Sequence, residues 1–245
     1  MLKLKNLPLA AVPGVPESIA RRKVIVYKSR VDPTTIKLTA EKMKSKLFVK
    51  FGFSKPRPEE IRVVSVEKYY EPYILVDAKY SIDYYKTKVY TLDVDNETEE
   101  VRILGETFKP ETVVGPIRDS RKVIKLETEE CLSYEDKAYV ILDKTGHEIP
   151  LDQVPTALSE EQPHKKLEEA GKKAGKVKFS RQEGIETVKA KIVKRPPDAD
   201  RIENELFQIS EHLVIYSPIY EITFRNVKTG EEKTTKIDGV TAKII

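Results

Sequence analysis

The chain has 245 residues, 39% of them hydrophobic and 34% charged, with a formal net charge of +4. That is enough apolar material for one large core or two small ones, which excludes a disordered tail. No run approaches the roughly 18 apolar residues that a helical bilayer span needs, so no membrane partner is expected. Its lone cysteine, Cys131, excludes an internal disulfide and a paired-cysteine zinc site, and is expected to be a passive buried thiol in a reducing cytoplasm.

Two methionines, no tryptophan, and four each of glutamine and asparagine stand against abundant Lys and Glu. This depletion of thermolabile residues points to a soluble protein of a thermophilic, archaeal-type cell. The opening "MLKLKNLPLAAVPGVPESIA" has a signal-peptide look, but Pro8, Pro13 and Pro16 interrupt its apolar core, and it reads as the extended arm of a cytoplasmic protein. The sequon Asn96-Glu97-Thr98 then lacks a glycosylation context.

The small net charge conceals segregation. Residues 1–58 carry 14 Lys/Arg against Glu17, Asp32 and Glu41, a net of +11. Residues 91–160 carry 17 Asp/Glu against 8 Lys/Arg, a net of −9, and residues 164–195 return to +7 with 11 Lys/Arg against 4 Glu. Two basic segments therefore enclose an acidic one.

In chain order, "RRKVIVYKSR" predicts a strand. "DPTTIKLTAEKMKSKLFVK" predicts a helix, with Asp32 as N-cap, Pro33 in the first turn, and Ile36, Ala40, Met43 and Leu47 on one face. Lys37, Lys42, Lys44 and Lys46 are expected on the side opposite that apolar face. From 61 to 104 the alternation predicts a β-meander of "IRVVSV", "YILVDAKYSIDYY", "KVYTLDV" and "EVRILGE". "KVIKLE", "AYVILD" and "HEIPLDQVP" follow, the last two joined as a hairpin through "DKTGHE". Residues 158–190 read as a connector: a Ser159-to-Gln162 capping box, then a short charged helix punctuated by Gly171 and Gly175, expected to be solvated.

A shift of 140 positions lays Tyr80-Ser81-Ile82-Asp83-Tyr84 on Tyr220-Glu221-Ile222-Thr223-Phe224 and Lys55-Pro56 on Arg195-Pro196, and at a shift of 145 Asp93 meets Asp238. This correspondence predicts two related β modules. The expected fold class is α+β, mainly β: two related antiparallel β-meander modules, a basic N-terminal arm and helix, and a charged helical connector. The boundaries read are 1–54 for arm, strand and helix, 55–157 for the first β-rich module with its acidic hairpin extension, 158–190 for the linker and 191–245 for the second module.

Sites for chemistry are sparse. In "LDVDNETEE" the aspartates could hold a divalent cation, but the sixth position of an EF-hand loop is Thr98 rather than glycine, and the repulsion of Asp93, Asp95, Glu97 and Glu99 on a common strand face argues for a solvated turn. "HEIPL" lacks the second histidine of a zincin helix, and His147, His164 and His212 are scattered. Nucleophile elbows, P-loops and dinucleotide glycine patterns are missing. The sequence thus predicts no catalytic residue, no metal site and no small-molecule cofactor. Tyr69, Tyr70, Tyr73, Tyr80, Tyr84, Tyr85 and Tyr90 fall within 22 residues and read as cross-strand packing, or alternatively as a stacking surface for unpaired bases aided by Lys86 and Lys88.

The basic segments carry the functional expectation. Clustered Lys/Arg with little internal neutralisation suits phosphate, and the leading reading is a non-catalytic factor that binds RNA or a ribosomal particle. Its nucleic-acid-binding residues are expected to be Arg21, Arg22, Lys23, Lys37, Lys42, Lys44, Lys46, Lys172, Lys173 and Lys176. The competing readings are a self-associating (homodimeric) interaction or scaffold subunit that meets an acidic protein partner, and a metal-dependent enzyme built on the carboxylates around Asp93.

Overall fold

The computed structural model describes residues 14–48, 56–114 and 120–245. Residues 1–13 of the arm, and Lys50 and Lys55, lie outside the described residues, while Glu17–Ile19 of the arm form a strand. The protein is mainly β, as its alternation predicts. Among the described residues an eight-stranded mixed sheet runs in the order β1 (Glu17–Ile19), β9 (Arg201–Asn226), β3 (Ile61–Val94), β7 (Ser120–Leu142) and β6 (Glu111–Val114). Three short strands also join it: β2 (Lys23–Val26) and β10 (Glu232–Asp238) pair with β9, and β8 (Glu148–Ile149) pairs with β7. A separate hairpin consists of β4 (Val101–Ile103) and β5 (Glu106–Phe108).

Three long strands carry the sheet. Their alternating side chains contain no glycine and only two prolines, Pro72 in β3 and Pro218 in β9, so little in them forces a turn. The edge of β9 is covered piecewise: β1 runs parallel beside residues 207–209, β2 parallel beside 213–216, and β10 antiparallel beside 219–225. Its other neighbour is β3, where Ser210 bonds to Asp77 while the Val227 amide bonds to the Glu60 carbonyl, the falling-against-rising register of antiparallel strands.

The chain forms two compact units. One comprises the described residues through Lys79 with Lys137–Ile192 and Phe207–Ile245; the other comprises Tyr80–Asp136 and Val193–Leu206. The first holds α1 (Pro33–Leu47), α2 (Pro163–Ala170) and α3 (Arg181–Ile192). Helix α1 starts where its chemistry dictates: the Asp32 carboxylate accepts from the Thr34 and Thr35 amides at 2.8 and 3.0 Å, and Pro33 occupies the first turn. Ile36, Ala40 and Met43 then bury against Ile61, against Tyr220, Ile222 and Phe224 of β9, and against Ile237 of β10. A second cluster joins Leu75, Ile141, Val154 and Ile215.

Several expectations are corrected. Residues 61–94 form one strand of 34 residues, where three strands of a meander were read, and residues 120–142 likewise form one strand. The "DKTGHE" turn forms as read, with Ile141 facing Ile149, and a turn also forms at Asn96 and Glu97, closed by the Thr98 amide on the Asp95 carbonyl at 2.9 Å. Tyr80–Tyr84 and Tyr220–Phe224 lie in β3 and β9, neighbouring strands of one sheet. The α2 N-cap is Gln162, with no side-chain cap bond, so the Ser159 capping box does not form; α2 buries none of its residues, as its composition predicts. Helix α3 was not anticipated, yet Ile185, Val188 and Ile192 bury there. Cys131 is exposed rather than buried, because it occupies a solvent-facing position of β7.

Candidate nucleic-acid interface

Helix geometry sets where the α1 lysines point. At 3.6 residues per turn, Lys37 and Lys44 fall about 80–100° to one side of Ile36, and Lys42 and Lys46 about 80–120° to the other. The lysines thus flank the apolar stripe on both sides, and the position opposite it belongs to Leu38, 58% exposed. Lys37, Lys42 and Lys46 are exposed and, among the described residues, form no ion pair. Lys44 is half-buried and held by Glu41 at 2.6 Å.

The remaining predicted cations occupy two other settings. Arg21, Arg22 and Lys23 are exposed at the start of β2, where Arg22 acts electrostatically on His212 together with Arg181. Lys172 and Lys173 form a single 3-10 turn after α2, and Lys173 is drawn to Glu67 at 3.4 Å. Lys176 follows Gly175, whose amide bonds to the Tyr70 carbonyl at 2.8 Å and so docks the connector on β3. The contacts therefore divide the ten predicted residues among three settings within the first unit.

Where Lys37 lies, the structure adds cations that sequence reasoning missed. An open cleft of about 580 Å³ is lined by Ser29, Arg30, Asp32, Lys37, Lys68 and Tyr220, with Val31, Pro33 and Val66. The Lys68 ammonium sits 5.1 Å from the Tyr70 ring centre and 5.9 Å from that of Tyr220. Burial, and then repulsion from Lys166, pull its pKa below the ordinary lysine value, opposed by Glu160. Tyr220 is oriented by its hydroxyl, 3.2 Å from Ser29 Oγ, which in turn faces the carbonyls of Val31 and Gly239 at 2.9 and 3.1 Å. A lone lysine inside a tyrosine-rich strand gives no charge-cluster signal, which is why Lys68 escaped notice.

The tyrosine-rich stretch is already occupied by its own chain. Tyr80 is fully buried, Arg201 lies 3.9 Å over the Tyr85 ring, and Lys88 lies 4.6 Å over Tyr90. Lys86 pairs with Asp198, and Lys88 with Glu130 at 3.1 Å. Neither lysine is free to assist a stacked base, so packing describes these tyrosines better than the alternative stacking surface.

The ion pairs of the acidic segment draw on cations outside residues 1–58. Asp93 pairs with Arg121 at 2.9 Å, Glu111 with Lys125 at 2.7 Å, and Glu148 with Lys191 at 2.6 Å. Among the described residues no group of three or more His, Cys, Asp or Glu side chains is placed to hold a metal ion. His147 is exposed in the β7–β8 turn beside Asp143, His164 is exposed on α2, and His212 is buried on β9. No described helix is long and apolar enough to cross a membrane. Comparisons with protein-family models, curated proteins and solved structures find no match for the chain.

Proposed function

We propose that the chain is a non-catalytic factor that binds RNA, free or within a ribonucleoprotein such as the ribosome, through the basic flanks of α1 and the cleft beside Lys37. The observation that carries this reading is that Lys37, Lys42 and Lys46 are exposed and unpaired among the described residues. Many cations elsewhere meet a carboxylate, among them Lys86, Lys88, Arg121, Lys144 and Lys191. Exposed cations without internal partners are the ones that can release counterions from a phosphate backbone. Arg21, Arg22, Lys23, Lys172, Lys173 and Lys176 extend the basic character beyond α1 within the same reading.

The competing internal role, in which residues 1–58 neutralise the acidic segment, is disfavoured by the partners of Asp93, Glu100, Glu111, Glu130 and Glu148, which are Arg121, Arg102, Lys125, Lys88 and Lys191. The proposal also keeps the chain in the cytoplasm of a thermophilic cell and relates the segments around Tyr80 and Tyr220 as modules of common design. The test is the salt dependence of binding to labelled RNA. Affinity should fall steeply as salt rises, and Lys42→Gln should weaken all RNA sequences alike and lower the slope of log K against log salt by about 0.7–0.9. Salt-insensitive binding, or no binding, would contradict the reading.

A further inference from the structure

The Lys68 ammonium lies half-buried between two tyrosine rings and, among the described residues, forms no ion pair. Ring faces compensate a desolvated cation only in part, and an incompletely paired charge in a concave site is costly unless an anion arrives. Arg30 and Lys37, which line the same cleft, are also without an ion-pair partner among the described residues. Asp32 is the one carboxylate in the lining among the described residues, and Glu160 acts on Lys68 from outside it. The Asp32 oxygens are committed to the α1 N-terminus through the Thr34 and Thr35 amides and to Thr35 Oγ1 at 2.6 Å, so its charge is turned toward the helix. The Ser29 hydroxyl donates toward the Val31 and Gly239 carbonyls, and the Tyr220 hydroxyl is engaged with Ser29 Oγ. What the cleft offers a ligand is therefore cationic.

We propose that this cleft binds a phosphate group, with the Lys68 ammonium at its centre and Arg30 and Lys37 beside it. The cleft is roomy enough for the group to remain attached to a larger molecule. Phosphate fits the site better than a carboxylate because its several oxygens can meet three separately placed cations at once. The proposal goes beyond the RNA reading, since a phosphorylated small molecule would satisfy the same three cations as a nucleic-acid backbone.

The test is a titration of the full chain, its lysines carrying ¹³C-methyl groups, with inorganic phosphate, followed by NMR; the Lys68 signal is assigned with Lys68→Met. Lys68 and Lys37 should move together on one saturable curve while Lys42 and Lys46 drift weakly, and Arg30→Gln should weaken the curve roughly tenfold. A silent Lys68 at tens of millimolar phosphate, or equal drift of every lysine, would overturn the proposal. A short RNA added to the phosphate-loaded protein identifies the source. Displacement from Lys68 assigns the site to a nucleic-acid phosphate, and simultaneous binding assigns it to a small phosphorylated molecule. RNA binding that persists with a silent Lys68 removes the cleft and leaves the α1 reading standing. A responsive Lys68 with no RNA binding does the reverse.

Discussion

The Tyr80 hydroxyl donates to the Glu205 carboxylate across 2.7 Å, and Arg195 closes on the same carboxylate through Nε at 2.8 Å and Nη2 at 2.6 Å. Tyr80 is fully buried and the Glu205 side chain is 5% exposed, so the carboxylate is both desolvated and matched. Burial, followed by this bond and the Glu205 charge, raises the tyrosine pKa well above its ordinary value. Tyr80→Phe should cost about 1–3 kcal/mol, the loss of a buried hydrogen bond to a charged acceptor. Urea denaturation reads it directly, and an unchanged midpoint would show that Arg195 alone satisfies Glu205.

His212 sets a pH dependence. Burial, then Arg181 and Arg22, lower its pKa from 6.5 to about 4, and its Nδ1 has no hydrogen-bond partner among the described residues. The unfolded chain takes up a proton near 6.5 that the folded chain refuses until about 4. Stability is therefore complete above pH 6.5 and declines as pH falls through that window. The carboxylates with lowered pKa values, such as Asp83 and Glu183, add their losses at more acid pH. His212→Phe should flatten the melting-temperature profile between pH 6.5 and 4.5; a profile as steep as that of the unaltered chain would assign the decline to other groups.

Leu104 and Gly105 both adopt positive φ, 49° and 91°, in the two-residue turn between β4 and β5. Such turns suit Asn-Gly, and a leucine there stores strain while its side chain is fully exposed. Leu104→Asn should stabilise the protein by about 1 kcal/mol in denaturant titrations. Destabilisation would mean that the leucine makes a contact outweighing its strain.

Gly175 has a different reason to be glycine. An added Cβ would lie 2.7 Å from Pro72 Cδ and 3.0 Å from the Tyr70 carbonyl oxygen, closer than side chains tolerate. Gly175→Ala should detach the connector from β3, read as faster amide hydrogen exchange over residues 171–178. Unchanged exchange there would show that β3 yields to the methyl group.

Composition and local chemistry revealed the β-rich class, the α1 cap and stripe, and the β7–β8 turn, because alternation, Asp32-Pro33 and "DKTG" act over a few residues. Strand length was hidden: charged residues such as Lys88 and Glu130 interrupt the apolar pattern yet remain in register by pairing across strands. Helix α3 was hidden for a related reason, since only Ile185, Val188 and Ile192 mark its buried stripe and Gly184 stands within it, close to Phe179. The cleft could not be read at all. The segment from Arg30 to Lys37, Lys68 and Tyr220 are distant from one another in sequence and meet only after β3 and β9 pair and α1 docks.

The most direct measurement of the central claim sets binding against stability in one variant. Lys37→Glu, Lys42→Glu and Lys46→Glu together should abolish RNA binding and leave the melting temperature unchanged, because these side chains are exposed and make no ion pair among the described residues. A lowered melting temperature with RNA binding intact would instead show that the lysines serve the fold, and would contradict the account.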